Sequence, residues 1–448
     1  MRGRDMTQGN IWKQLSLFAV PLFLAHLLQQ TYNAFDAFIV GRFVSSSALA
    51  AVGSSGPVIN MLVSFFMGMS SGSSVLIAQY FGAKNLEELK KTVHTAVLLS
   101  IIVGAVLSVV GIIVTPALLR LIQTPEAVMV EAVVYLRIYF AGLMGLTVYN
   151  MGAAVLTAIG DSKRPLYFLA LSSVIKVALN LLFVLVFNMG VAAVAWSTVA
   201  AQLVCAVLVI RLLCRHHSAV RLNLRQLRIH KHILKGILKI GLPGGIQGSI
   251  ISFSNFVVQS YINALGPSAM AGYAASARVD GFIFIPMQSM AMAVSTFVGQ
   301  NLGSGQVKRA RGGVKAGLVV GLGAVILFSA AALIFASQLL GIFTTDESVI
   351  SHGLEFMYVF MPFYFILCVN QVFSGALRGA GDVKVPTLLA LSCFVVLRQL
   401  YLFVVTRFVH TTTSVAIGFP IGWLTASILL IIYYRKRNWS SFERAEDG

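Results

Sequence analysis

Apolar runs about twenty residues long recur from one end of this chain to the other, and they decide most of what it can fold into. A helix of roughly 20 apolar residues spans the hydrocarbon core of a bilayer and satisfies its own backbone there. Twelve such spans fall at about 14–40, 50–80, 92–115, 130–157, 165–187, 190–213, 236–264, 269–301, 313–337, 350–377, 385–408 and 414–434. The second and eighth are long enough that tilt or projection into water is expected. Hydrophobic residues make up 58% of the chain and charged residues 11%, against about 25% charge in an average soluble domain. The chain therefore reads as an all-α integral membrane protein. Its first run is too long for a cleavable signal peptide and lacks a cleavage site.

Charge placement gives an orientation. Arg2, Arg4 and Lys13 precede the first span, and Arg435, Lys436, Arg437 and Arg444 follow the last. Between them, Lys84, Lys90 and Lys91, then Lys163 and Arg164, then Lys308, Arg309, Arg311 and Lys315, then Arg378 and Lys384 fall on the same side. The opposite loops hold Arg42, Arg120 and Arg407 beside Glu126, Asp346 and Glu347. The positive-inside rule then puts both termini in the cytoplasm of a multi-pass plasma (inner) membrane protein. The net charge of +18 is a topology signal and an attraction to anionic lipids of the inner leaflet, not a sign of nucleic acid. Cys205, Cys214, Cys368 and Cys393 lack metal spacing and read as small core hydrophobes; no metal or organic cofactor is expected.

The chain repeats itself. Pro21 matches Pro243, Ala48-Leu-Ala50 matches Ala269-Met-Ala271, Gln79 and Gly82 match Gln300 and Gly303, and Gly160-Asp161 with Pro165 matches Gly381-Asp382 with Pro386, each about 221 residues apart. Six spans per half give both copies the same orientation, a transporter pattern. The expected division is 1–215 as an N-terminal lobe, 216–235 as a basic cytoplasmic linker and 236–448 as a C-terminal lobe. Around the linker, Leu227, Ile233, Leu234, Ile237 and Leu238 recur among lysines and arginines, the pattern of a basic amphipathic helix on the inner leaflet.

Ionisable residues inside spans are costly and mark functional sites by default. On the first span Gln29, Asn33 and Asp36 share one stripe, with Tyr32 at its edge. The competing reading of Asp36 is a neutral carboxyl held by a hydrogen bond. Asp36 lies six residues from Arg42, roughly 9 Å deep, and Asn180 lies seven from Phe187, roughly 10 Å deep, so the two are positioned to meet. Lys176, one turn deeper on the Asn180 face, is within reach of Asp36. Asn180 reads equally as an interhelical hydrogen bond. In the second half Asp280, Gln288, Arg398, Asn255 and Gln259 are candidates for a cavity wall, with Asp280 and Arg398 as a candidate buried pair. Pro21 is a candidate hinge. Gly68 to Ser74 reads as close helix packing.

Asn33-Ala-Phe-Asp36, Val40-Gly41-Arg42 and Ala48 to Gly53 resemble the first-helix signature of the multidrug and toxic compound extrusion (MATE) transporters. Gln79-Tyr-Phe-Gly82, Gln300-Asn-Leu-Gly303 and Gly375 to Asp382 with Pro386 resemble further motifs of that family, in order over nearly the whole chain. The resemblance, closest to the bacterial and archaeal branch, implies two six-helix lobes around a central cavity, related by a pseudo-two-fold along the membrane normal. It implies secondary active, cation-coupled export, by proton or sodium antiport, of small organic, cationic or amphiphilic compounds, and a monomer rather than an enzyme. Asp36 matches the family's first-helix acid and Asn180 a partner asparagine, whereas Val184 stands where some members carry a second acid. That departure weakens a sodium site. Gly248 to Ala264 on the seventh span, where another branch carries a glutamate, also has no acid, and the missing acids favour proton over sodium. Two other readings remain: a flippase for a lipid-linked precursor, whose cavity should be markedly more cationic and which the basic residues Arg137, Lys176, Arg278 and Arg398 keep open, and an intramembrane lipid enzyme, for which no catalytic constellation is present.

Overall fold

Lipid offers no hydrogen bonds, so runs of this composition must close their own. A computed structural model of the chain describes residues 4–122, 124–215 and 220–439, and among these it has helices and no strand. Arg2 and Arg444, counted above with the cytoplasmic charges, lie outside the described residues. The first six expected spans are α1 (Ile11–Phe43), α2 (Ser46–Gly82), α3 (Leu86–Leu121), the pair α4 (Glu126–Ala141) and α5 (Leu143–Ala158), α6 (Lys163–Leu185) and α7 (Val191–Arg215). The second six are α8 (Lys231–Asn263), α9 (Pro267–Gly303), α10 (Val307–Ile334) with the short α11 (Ala336–Gly341), α12 (Glu347–Phe360) with α13 (Tyr364–Gly379), α14 (Lys384–Ala390) with α15 (Arg398–Val405), and α16 (Thr412–Lys436).

Among the described residues ten helical stretches are long and apolar enough to cross a membrane, and α4 with α5, bent by 47°, makes an eleventh. The seventh expected span is α8, which has the length at 33 residues, but its lysine-free part, 240–263, is diluted by Gln247, Asn255 and Gln259 among serines and glycines. The bend between α4 and α5 falls at Gly142, where a Cβ would press on Val199 of α7; the close approach of that helix and the missing side chain account for the break.

One expectation is corrected. The residues around the linker do not form a separate surface helix. Leu224–Gln226 is a single 3-10 turn, and α8 begins at Lys231. Ile233 and Ile237 are the packed face of that helix, buried with Met69, Ala96, Leu99 and Met151. The apolar spacing was real, but its partner is protein.

The repeat extends to single hydrogen bonds. After α2, the amides of Ala83, Lys84 and Asn85 return to Gln79, Phe81 and Tyr80; after α9, Ser304, Gly305 and Gln306 return to Gln300, Leu302 and Asn301. Lys84 and Gly305 occupy the same left-handed position, at φ 56° and 82°. Gly160 and Gly381 do so at the next turn.

Contacts gather the chain into two units. One holds Met1–Asp5 and Leu24–Gly245, the other Met6–Phe23 and Ile246–Gly448. Both α1 and α8 thus change unit within a few residues of their matched prolines, Pro21 and Pro243. In the first unit α8 lies against α2 so closely that a Cβ on Gly72 would stand 2.6 Å from the Gly241 nitrogen, and Gly68 meets Gly244 and Gly245 in the same way. The Gly/Ser stretch of α2 is a packing surface, as its composition implied. The second unit is built around α9, whose Met287, Met290, Val294 and Phe297 are buried against α10, α12 and α13.

Candidate functional site

In the first unit the C-terminal half of α1 meets α6 through side chains, and the depths inferred from helical rise prove compatible with contact. The Lys176 ammonium lies 2.5 Å from Asp36 Oδ2. The Asn180 amide donates to Asp36 Oδ1 at 3.2 Å. Lys176 also lies over the ring of Tyr32, 4.2 Å from its centroid. Side-chain exposure is 5% for Lys176 and 13% for Asp36, so this is an ion pair largely removed from solvent. Such a pair survives only when further hydrogen bonds satisfy its remaining polar atoms, which Asn180 and the π face of Tyr32 help to do. The Asn180 carbonyl oxygen has no hydrogen-bond partner. Gln29 reaches Tyr32 rather than the carboxylate, and Asn33 is exposed. Of the sequence stripe, Asp36 thus meets Lys176 together with Tyr32, one turn away, and Gln29 lies behind Tyr32. Val184 packs with Ile39 and Ala193 and adds no charge. Tyr135 of α4, which sequence reasoning missed, stands close enough to feel the Asp36 charge.

In the second unit the candidates separate into two groups. Asp280 of α9 accepts a hydrogen bond from the Tyr364 hydroxyl at the start of α13. Arg398, 4% exposed, donates to Ser254 Oγ at 2.8 Å and Asn255 Oδ1 at 2.9 Å on α8. The expected Asp280–Arg398 pair is not formed. Asp280 on α9 turns toward α13, while Arg398 turns toward α8. Tyr273 lies near enough to feel both charges. Gln259 bonds to Asn263 at 2.8 Å, and Gln288 is half-buried apart from either group. Neither Ser254 nor Tyr364 stood out in the sequence. Tyr364 had one signal, its place just after the Met361-Pro362-Phe363 break between α12 and α13.

A family model described as MatE matches residues 21–182 and again residues 243–404, one copy in each half. The chain belongs to the MatE family. Over 443 residues it is 28% identical to the probable multidrug resistance protein YpnP of Bacillus subtilis, covering 99% of both chains. It is 31% identical over 446 residues to the probable multidrug resistance protein YoeA of the same organism, covering 96% of this chain and 94% of the other. Its fold matches a solved outward-facing conformation of a multidrug resistance MATE family transporter of the MOP superfamily, with a TM-score of 0.92, 22% identity and 99% of each chain covered. MatE proteins are multi-pass membrane transporters that bind small molecules, not enzymes, and the solved folds have twelve helices in two lobes. The two matched copies begin at Pro21 and Pro243, the residues beside which α1 and α8 change unit in this MatE chain.

Proposed function

We propose that this MatE chain is a proton-coupled antiporter that exports small organic cations or amphiphiles by alternating access, and that Asp36 carries the coupling proton. The supporting observation is the contact of Lys176 and Asn180 with the two oxygens of Asp36. Both partners present donors. A sodium ion at that carboxylate would meet the Lys176 ammonium, with the Asn180 carbonyl oxygen as an unpartnered acceptor nearby. A proton has no such difficulty. It neutralises the carboxylate, Lys176 loses its counter-ion, and the contact between α1 and α6 weakens. Because removing one partner of a buried pair costs several kcal/mol, this single event is large enough to bias a two-state equilibrium. The names of the relatives, probable multidrug resistance proteins, support the substrate class. The same reading has both termini cytoplasmic, a monomer, and anionic lipid held by the basic side.

The test is export of ethidium by the purified protein in inverted vesicles, energised separately by a pH gradient and by a sodium gradient. A pH gradient alone is expected to drive it. Transport driven by sodium alone, with pH clamped, sinks the proton assignment.

A further inference from the structure

Each half buries one cation within a span, Lys176 in the first and Arg398 in the second, and only one of the two is paired with an acid among the described residues. Counted from the matched prolines Pro21 and Pro243, Tyr32 corresponds to Ser254 and Asp36 to Val258. Counted from Pro165 and Pro386, Lys176 should correspond to Leu397. The structure corrects that register. Between α14 and α15, Leu391–Leu397 forms a π-helical turn, which accommodates one residue more than an α-helix and has no counterpart in α6. The extra residue brings Arg398 to the place of Lys176. Its contacts agree: Lys176 lies over Tyr32, and Arg398 bonds to Ser254, the residue corresponding to Tyr32.

At the equivalent of Asp36 the second half has Val258, 1% exposed. Arg398 is thus a buried guanidinium whose partners are neutral oxygens, with no carboxylate paired to it among the described residues. Its Nε has no hydrogen-bond partner. Asp280 is engaged by Tyr364. Arg398 also lies over the ring of Phe419, 5.0 Å from its centroid, and Phe419 adjoins Trp423. Asn255 is exposed, so the group reaches the surface of its unit. A buried charge without a counter-ion is costly to keep, and a planar guanidinium with free donor capacity matches an oxyanion.

We propose that Arg398, with Ser254 and Asn255, is a seat for an oxyanion, the carboxylate or phosphate of an amphiphilic molecule whose apolar portion lies along Phe419 and Trp423. This stands apart from the coupling role of Asp36, because it is read by binding without any gradient.

The test uses the full chain in phosphatidylcholine nanodiscs, titrated calorimetrically with dodecanoate, dodecyl phosphate and, as a matched cation, dodecyltrimethylammonium. Arg398→Gln is expected to weaken both anions about tenfold or more, the scale of a lost charge-assisted hydrogen bond, and to shift the cation far less. Val258→Asp keeps Arg398 and supplies the acid that the first half has one turn beyond Tyr32; it is expected to weaken the anions in the same way, and its elution as a single folded species guards against misfolding. Arg398→Lys should retain part of the anion binding. Phosphatidylglycerol nanodiscs separate the sources: competition that depends on Arg398 assigns the seat to a lipid headgroup, and its absence to a soluble cargo. Equal loss for all three amphiphiles in Arg398→Gln, or parental anion binding in Val258→Asp, overturns the proposal.

Discussion

Lys176 holds its ammonium 2.5 Å from Asp36 although 140 residues of sequence, four helical segments and several turns separate them. The contact joins α1 to α6. Under the proposed coupling, a single carboxylate would answer both to a proton and to the position of a helix.

Asp36→Asn keeps the shape of the side chain and removes its charge. It should fold and reach the membrane but lose gradient-driven export. Asn180→Ala removes one hydrogen bond worth about 1 kcal/mol and should weaken coupling less. Ethidium export at matched membrane levels compares them. Parental pumping by Asp36→Asn would move the coupling site elsewhere, with Asp280 the next candidate.

Lys176→Met leaves the Asp36 carboxylate buried and unpaired. The cost expected from broken buried pairs is roughly 3 kcal/mol, and the double variant Asp36→Leu/Lys176→Met should recover most of it. Thermal unfolding in detergent measures both. A single variant as stable as the parent would mean that the pair is not held in the folded protein.

Gly72→Val should destabilise by about 1–3 kcal/mol or more, because its side chain would strike the α8 backbone at Ile237 and Gly241, which cannot yield as a rotamer can. Gly323→Ala, with nothing within 4 Å of the new Cβ, is the control and should be neutral or slightly stabilising. Unfolding temperatures that rank the two the other way would contradict the α2–α8 packing.

Pro21 is buried in α1, two residues before the chain passes from one unit to the other. Pro21→Ala restores a backbone hydrogen bond there and straightens the helix. Expression near normal with slower turnover is expected. Turnover equal to the parent at equal expression would make Pro21 a tolerated kink.

The orientation is open to cysteine labelling in intact cells. An impermeant maleimide should reach cysteines placed at Gly266 and Thr345 and should not reach those at Gly305 and Asn223. Labelling of Asn223 from outside would reverse the sidedness inferred from charge.

The sequence by itself determined the membrane class, the spans and the repeat, because hydropathy and turn residues act locally and helical rise converts residue number into depth. Depth was enough to bring Asp36, Asn180 and Lys176 together. The expected pair of Asp280 and Arg398 failed because the two face different helices. Which way a side chain turns at a given depth depends on helix rotation and tilt, and these are set by neighbours distant in sequence. The break at Gly142, the packing of Ile233 and Ile237 on the first unit, and the π turn that carries Arg398 into the place of Lys176 were decided only there. Each is a compromise between one helix's own regular geometry and the surface it meets.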